Sequence, residues 1–359
     1  MSKIAILGAG AIGGLSGVYM ALHGKDVLFI DKNKDHVEAI RTKGIKVDGC
    51  RGDFWIGPQR AVTPEELNEE LGMVFVACKS QHTTDAIKSI MKWLTDDSVI
   101  VSLQNGMNEP EIIELVGEKR TMGALPDYGG AYINPGHLEY VHEGPAYVGE
   151  INGEITERAK EAGELLGYNT RSYVYDNIMA RVWAKQVYSS QIAVSALVDA
   201  PVNEVLGCER GQKAAGICVK EALAVADAYE ISLPEKGDFF EPELYRIKTH
   251  EDTLKMMAKM NEAVAILDAQ EEIEAKGKHK FIKKASGIHW DIKYRNRKSE
   301  ETHLTGRLVE DGKKIGVPVP LNEKVLDMIY EIEDGKREMG WHNIAELEEL
   351  IKELGVELP

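Results

Sequence analysis

The residues whose types and spacing point most directly to chemistry lie at the start of the chain. Gly8-Ala9-Gly10-Ala11-Ile12-Gly13 fits G-x-G-x-x-G and directly follows a short apolar run, Ile4 to Leu7. In such a turn Gly8 permits the tight bend, Gly10 lets the backbone approach a pyrophosphate, and Gly13 allows the next helix to pack close to the strand. That helix turns its first N–H groups and the positive end of its dipole toward phosphate oxygens. A second apolar run, Val27 to Ile30, ends at Asp31, eighteen positions beyond Gly13. A carboxylate there accepts hydrogen bonds from the ribose hydroxyls of NAD and repels the 2′-phosphate of NADP, which favours NAD(H) over NADP(H). Lys32 and Lys34 stand close enough to meet a phosphate and temper that preference.

Two more polar residues fall at the ends of expected strands. Lys79 closes the run Met73 to Cys78, and Asn105 follows Ser98 to Leu103 within Gln104-Asn105-Gly106. Ligands of open α/β sheets gather beyond the carboxyl ends of the strands, so this shared edge makes both residues candidates for contact with cofactor or substrate. Each alone would be a solvated lysine and a turn former.

The elements needed to hold these groups follow from the surrounding pattern. Residues 4 to 22 carry no charge, but their five glycines and the lack of a basic leader or cleavage site argue against a spanning helix or signal peptide. A helix runs instead from the turn to His23-Gly24, where the glycine closes it in a left-handed cap. Thr63-Pro64-Glu65-Glu66 has the form of a capping box with proline at the first helical position and predicts a helix ending near Gly72. Asp85 to Leu94 reads as a helix, and strands flank a Pro135-Gly136 turn beyond Gly123. A helix from about Glu154 to Leu166 and a strand near Ser172 to Tyr175 complete a doubly wound α/β Rossmann domain over residues 1–175. From Asn177 the pattern is helical. Trp183, Val187, Ser190, Val194 and Leu197 recur at spacings of three and four as a mostly apolar stripe, while Lys185, Ser189 and Ala193 share another face. By spacing alone Lys185 is a solvated lysine. Residues 176–359 are expected to form an all-helical substrate and dimerisation domain.

Composition bounds the partners. The chain has 359 residues, 43% hydrophobic and 28% charged, enough for two globular domains with real cores. A formal charge of −16 opposes nucleic acid and anionic membranes. The basic stretches KGKHKFIKK (276–284) and RNRK (295–298) sit among acidic runs and read as solvated faces. Four scattered cysteines without a CxxC pair give no sign of a disulfide framework or metal site and suit a reducing cytoplasmic setting. Met256, Met257 and Met260 recur at helical spacing and read as packing.

Taken in order, the glycine turn through Gly14, Lys79, Gln104-Asn105-Gly106-Met107, Trp183-Ala184-Lys185, Glu300-Glu-Thr-His-Leu-Thr-Gly306 and Gly316-Val-Pro-Val-Pro320 resemble the pattern of ketopantoate reductases (2-dehydropantoate 2-reductases). The resemblance spans the first strand to about residue 330. It implies a Rossmann domain followed by a helical domain like the C-terminal one of 6-phosphogluconate dehydrogenase, with the substrate in the cleft. It also implies reduction of a 2-oxo acid, most directly 2-dehydropantoate to pantoate in pantothenate and coenzyme A biosynthesis. Lys185 matches the family's catalytic lysine and Glu300 its catalytic glutamate. A lysine ammonium suits the negative charge that grows on a carbonyl oxygen during hydride transfer, and a nearby glutamate keeps it protonated or holds a substrate hydroxyl. Lys79 and Asn105 would serve cofactor and substrate.

The chain also departs from the family. Ser189 and Ala193 stand where the lysine helix carries asparagines, and Gly287 replaces the second serine of the turn that begins at Ser286 and runs to Asp291. The segment from Asp291 to Glu300 is about one residue longer, and helical material around 250–285 and a tail from Gly340 are added. Ser189 and Ser286 are therefore expected at a modified substrate pocket. Alternatives are a related hydroxy-acid or opine-type dehydrogenase, or a dinucleotide sensor without catalysis. Retention of Lys185 and Glu300 speaks against the sensor.

Overall fold

A computed structural model describes residues 3–234, 240–276 and 285–359. The basic stretch at 277–284 lies outside the described residues. The chain divides into two compact units, Met1–Val182 and Trp183–Pro359.

In the first unit, strand β1 (Ile4–Leu7) leads through the glycine turn into helix α1 (Ala11–Leu22), and β2 (Val27–Ile30) leads into α2 (Lys34–Thr42). The uncharged opening stretch is thus a strand, a turn and a twelve-residue helix. Gly24 follows the helix with φ +77°, the expected left-handed close. The chain continues through β3 (Ile45–Gly49), β4 (Phe54–Ile56), β5 (Ala61–Val62) and β6 (Leu71–Val76) to α3 (Thr83–Ile90) and β7 (Leu94–Leu103). Next come α4 (Glu109–Val116), β8 (Thr121–Pro126), β9 (Gly129–Asn134), β10 (His137–His142), β11 (Ala146–Glu150), α5 (Glu157–Gly167) and β12 (Ser172–Val174).

Eight strands form one sheet in the order β12-β11-β8-β7-β6-β1-β2-β5, parallel except where β11 runs against β8. Strand order reverses beside β1, which lies between β2 and β6. This is the switch point where the ends of β1 and β2 present the glycine turn and Asp31. Alternate residues of β1 enter separate cores on the sheet's two faces, Ile4 and Ile6 on one and Ala5 and Leu7 on the other. Burial on both faces is why these runs are wholly apolar rather than alternating. A second sheet, β4-β3-β10-β9, carries the Pro135-Gly136 turn between β9 and β10.

The expected helix after Thr63 does not form. One arm of the capping box closes, the Thr63 N–H donating to the Glu66 carboxylate at 2.9 Å, while the Glu66 N–H donates to the Thr63 main-chain carbonyl at 3.0 Å, and the group caps only a turn. Leu67 is the one buried residue between Pro64 and Glu70, and a helix without an apolar face has nothing to pack with.

Helix α6 (Ile178–Ser195) runs from the end of the first unit into the second. The second unit adds α7 (Val202–Gly207), α8 (Glu209–Ala228), α9 (His250–Lys276), a single turn α10 (Gly287–His289), α11 (Thr305–Ile315), α12 (Pro320–Glu333) and α13 (Trp341–Leu354). Trp183, Val187, Ser190, Val194 and Leu197 are all buried, as their spacing predicts. Met256 and Met260 are core residues and Met257 is half-buried. The cations of 295–298 do not stand alone, since Arg297 and Arg295 lie 2.8 and 3.6 Å from Asp291 and Lys298 3.3 Å from Asp334. None of the four cysteines is joined in a disulfide. Among the described residues no helix is long and apolar enough to cross a membrane.

Candidate active site

The glycine turn meets the demands of dinucleotide binding one residue at a time. Gly8 has φ +96°, and a Cβ there would lie 2.6 Å from the Cys78 nitrogen, so both backbone and space require glycine. At Gly13 a Cβ would fall 2.2 Å from the Gly8 carbonyl oxygen, which is how closely α1 passes the turn. Gly10 is different. A Cβ there would meet nothing within 4 Å, so the turn is open on that side, and no side chain caps the N-terminus of α1. Bare backbone facing open space at an uncapped helix start is the cradle a pyrophosphate fills.

Asp31 is turned toward this cradle. Its carboxylate accepts the Ala9 N–H at 2.8 Å through Oδ2 and the Asn33 N–H at 2.9 Å through Oδ1. The Ala9 carbonyl in turn meets Nε2 of His36 at 2.8 Å, and the His36 N–H donates to Oδ1 of Asn33, the N-cap of α2, at 3.2 Å. Sequence patterning missed His36. The only trace was its place three residues after a capping asparagine.

At the neighbouring strand ends the structure brings the Lys79 and Asn105 segments together. The Gln104 amide donates to the Cys78 carbonyl at 2.8 Å, and the Ser80 hydroxyl to the Asn105 carbonyl at 2.7 Å, so the residues flanking Lys79 are stitched to the turn after β7. Gly106 adopts φ +81° to make that turn, and the Asn105 side chain is exposed. Ser80 was also missed, because its role is visible only once the two strands are adjacent. Glu109, buried just beyond, is pushed up to about 7 by loss of solvation.

The second unit carries the other candidates. Lys185 and Ser189 are half-buried on one face of α6, and the Ser189 hydroxyl donates back to the Lys185 carbonyl at 2.8 Å. Ala193 is fully buried and offers no polar atom in place of an amide. Next to the lysine, the Gln186 amide donates to the Leu304 carbonyl, tying α6 to the turn that begins at Glu300. Glu300 is itself buried, and its carbonyl accepts the N–H groups of His303 and Leu304 at 2.9 and 3.2 Å. Ser299 anchors the same turn to α12 with two hydrogen bonds to Glu333, at 2.7 and 2.6 Å.

Glu301, fully buried, accepts the Thr305 hydroxyl at 2.6 Å. Burial, reinforced by the carboxylates of Glu333 and Glu300, pushes it up to about 7. Ser286 is buried, and its oxygen accepts the His289 N–H at 3.2 Å as the cap of α10. The structure thus joins the lysine helix to the glutamate turn and gives Ser286 a structural duty.

Comparison with known proteins gives a consistent result. Residues 4–153 match the family model for ketopantoate reductase PanE/ApbA, and residues 177–333 match the model for its C-terminal part. A 2-dehydropantoate 2-reductase of Archaeoglobus fulgidus is 26% identical over 337 residues, covering 93% of this chain and 99% of that protein. Among solved structures, D-mandelate dehydrogenase in ternary complex with NADH and anilino(oxo)acetate superimposes with a TM-score of 0.76 at 20% identity, over 93% of this chain and 99% of that one. The 2-dehydropantoate 2-reductase of Geobacter metallireducens gives 0.73 at 23% identity, over 92% and 99%.

Proposed function

This chain belongs to the ketopantoate reductase family, and on that premise we propose that it reduces 2-dehydropantoate to pantoate with a nicotinamide dinucleotide, NAD(H) being favoured over NADP(H). The observation that carries this reading is the match of both family models, one over the dinucleotide cradle and one over the lysine helix and glutamate turn. When bound, the nicotinamide supplies a hydride to the C2 carbonyl carbon. Everything else is the work of side chains.

The ammonium of Lys185 stabilises the negative charge that develops as the carbonyl electron pair moves onto oxygen, then gives that oxygen a proton from Nζ. Glu300 orients that ammonium or holds a substrate hydroxyl. Lys79 attracts the substrate carboxylate, and Asn105 positions cofactor or substrate. On the cofactor side, Asp31 takes the ribose hydroxyls, which supports the preference for NAD(H). Ser189 and Ser286 belong to the part of the pocket that departs from the family, Ser286 also capping α10. The proposal extends to a homodimer in the cytoplasm.

Initial rates of NADH and NADPH oxidation with ketopantoate and a panel of other 2-oxo acids, each with and without ammonium, test this function. The expected result is fast oxidation of NADH with ketopantoate and no need for ammonium. Turnover of a different acid alone would reassign the substrate, and an absolute requirement for ammonium would make the enzyme a reductively aminating dehydrogenase.

A further inference from the structure

Asp31, Ala9, His36 and Asn33 close a ring of four hydrogen bonds around the entrance to the cradle. The Ala9 N–H donates to Asp31, His36 meets the Ala9 carbonyl, the His36 N–H donates to Asn33, and the Asn33 N–H donates back to Asp31. Both ends of the Ala9 side of the turn are therefore held by groups from the β2–α2 junction. His36 is 1% exposed, and its second ring nitrogen is occupied as well: the Gly136 N–H donates to Nδ1 at 3.0 Å. Because Nδ1 must accept, the proton sits on Nε2, and Nε2 is the donor to Ala9. The ring also meets Tyr132 edge-on with centroids 5.0 Å apart, and the Asn33 amide donates to the Tyr132 hydroxyl at 3.3 Å. Gly14 leaves space for the arrangement, since a Cβ there would lie 2.7 Å from the Ala9 carbonyl oxygen.

We infer that His36 is a positioning residue for dinucleotide binding, fixing the Ala9 peptide and through it the direction of the Asp31 carboxylate, with the β9–β10 turn at Gly136 as its anchor. The inference rests on the dinucleotide reading above. Pyrophosphate and ribose are met by backbone and carboxylate groups whose directions matter more than their number, so a pre-set turn binds without the loss incurred in ordering it. Cys78 confines Gly8 on one side, and His36 confines Ala9 on the other.

The test is the dissociation constant of NADH, read by nicotinamide fluorescence, for His36→Leu and His36→Gln beside the wild-type protein. Leucine removes both polar bonds, whereas glutamine keeps an N–H that reaches the Ala9 carbonyl. The expected result is about tenfold weaker binding for leucine and substantial recovery for glutamine, with kcat at saturating NADH nearly unchanged. Wild-type affinity in a folded leucine variant would overturn the inference. So would equal losses in both variants, or a fall in melting temperature without a change in affinity. If the leucine variant does not fold, glutamine decides alone, and a loss as large as tenfold there counts against the role. Failure of the wild type to bind NADH would overturn the inference together with the cofactor assignment, whereas binding without turnover would overturn only the proposed reaction.

Discussion

Around the glycine turn, the hydrogen bonds that fix Ala9 and Asp31 close among residues 9 to 36, and one further bond ties His36 to Gly136. Around Lys185 the corresponding partners come from far along the chain, and the bond between Gln186 and Leu304 spans 118 positions. The first region recognises a ligand through backbone, for which glycine, a helix start and one acid are enough. On the proposed function the second matches the functional groups of one particular acid through side chains, and here Ser189 offers a hydroxyl turned back on its own helix and Ala193 a buried methyl. Under that proposal cofactor binding is a matter of local geometry, and substrate choice is left open to change by single residues.

The sharpest way to break this division is Lys185→Ala. Loss of the charge and proton donor is expected to lower kcat by three orders of magnitude or more, with the Kd of NADH nearly unchanged. Steady-state kinetics beside fluorescence titration would show it, and a parallel loss of NADH affinity would join the two regions energetically.

A smaller effect concerns stability. Glu301 is raised to about 7 in the fold against an unfolded value near 4.5, so the folded state holds the proton more tightly. The contribution of Glu301 to stability is full below pH about 4.5, falls as pH rises through that window, and levels off above about 7. Urea unfolding of Glu301→Gln should show that share of the slope removed and a gain on the order of 2 kcal/mol at pH 8. Buried Glu109 in the first unit has the same sign. An unchanged slope in Glu301→Gln would mean that this carboxyl does not titrate as its burial requires.

Smallest of all, Ser189→Asn restores an amide of the family pattern and is expected to improve kcat/KM for ketopantoate by up to about tenfold, leaving the KM for NADH alone. A decrease would show that this pocket is adapted to a different acid.

These contrasts also explain what was legible in the sequence. The glycine turn, Asp31 and the strand ends at Lys79 and Asn105 are marked by local patterns, because the backbone conformations they need restrict residue type over a few positions. The stripe was equally visible, its four positions on α6 and Leu197 just beyond the helix all buried. Lys185 was not marked by spacing, since one cation on a helix has no periodic signature, and only family resemblance singled it out. The Thr63 capping box misled for a physical reason: a cap satisfies N–H groups but cannot supply the apolar face a helix needs. His36 and Ser80 escaped because their partners, Ala9 and Gly136 for one and Asn105 for the other, become neighbours only in the folded sheet.

The most direct test of the central claim follows the hydride itself. Ketopantoate is incubated with the protein and NADH carrying deuterium on the transferable C4 position, and the product is examined by mass spectrometry. The account predicts pantoate bearing one deuterium at C2, formed with NADH and lost in Lys185→Ala. Pantoate without deuterium, or consumption of NADH with no pantoate formed, would contradict it.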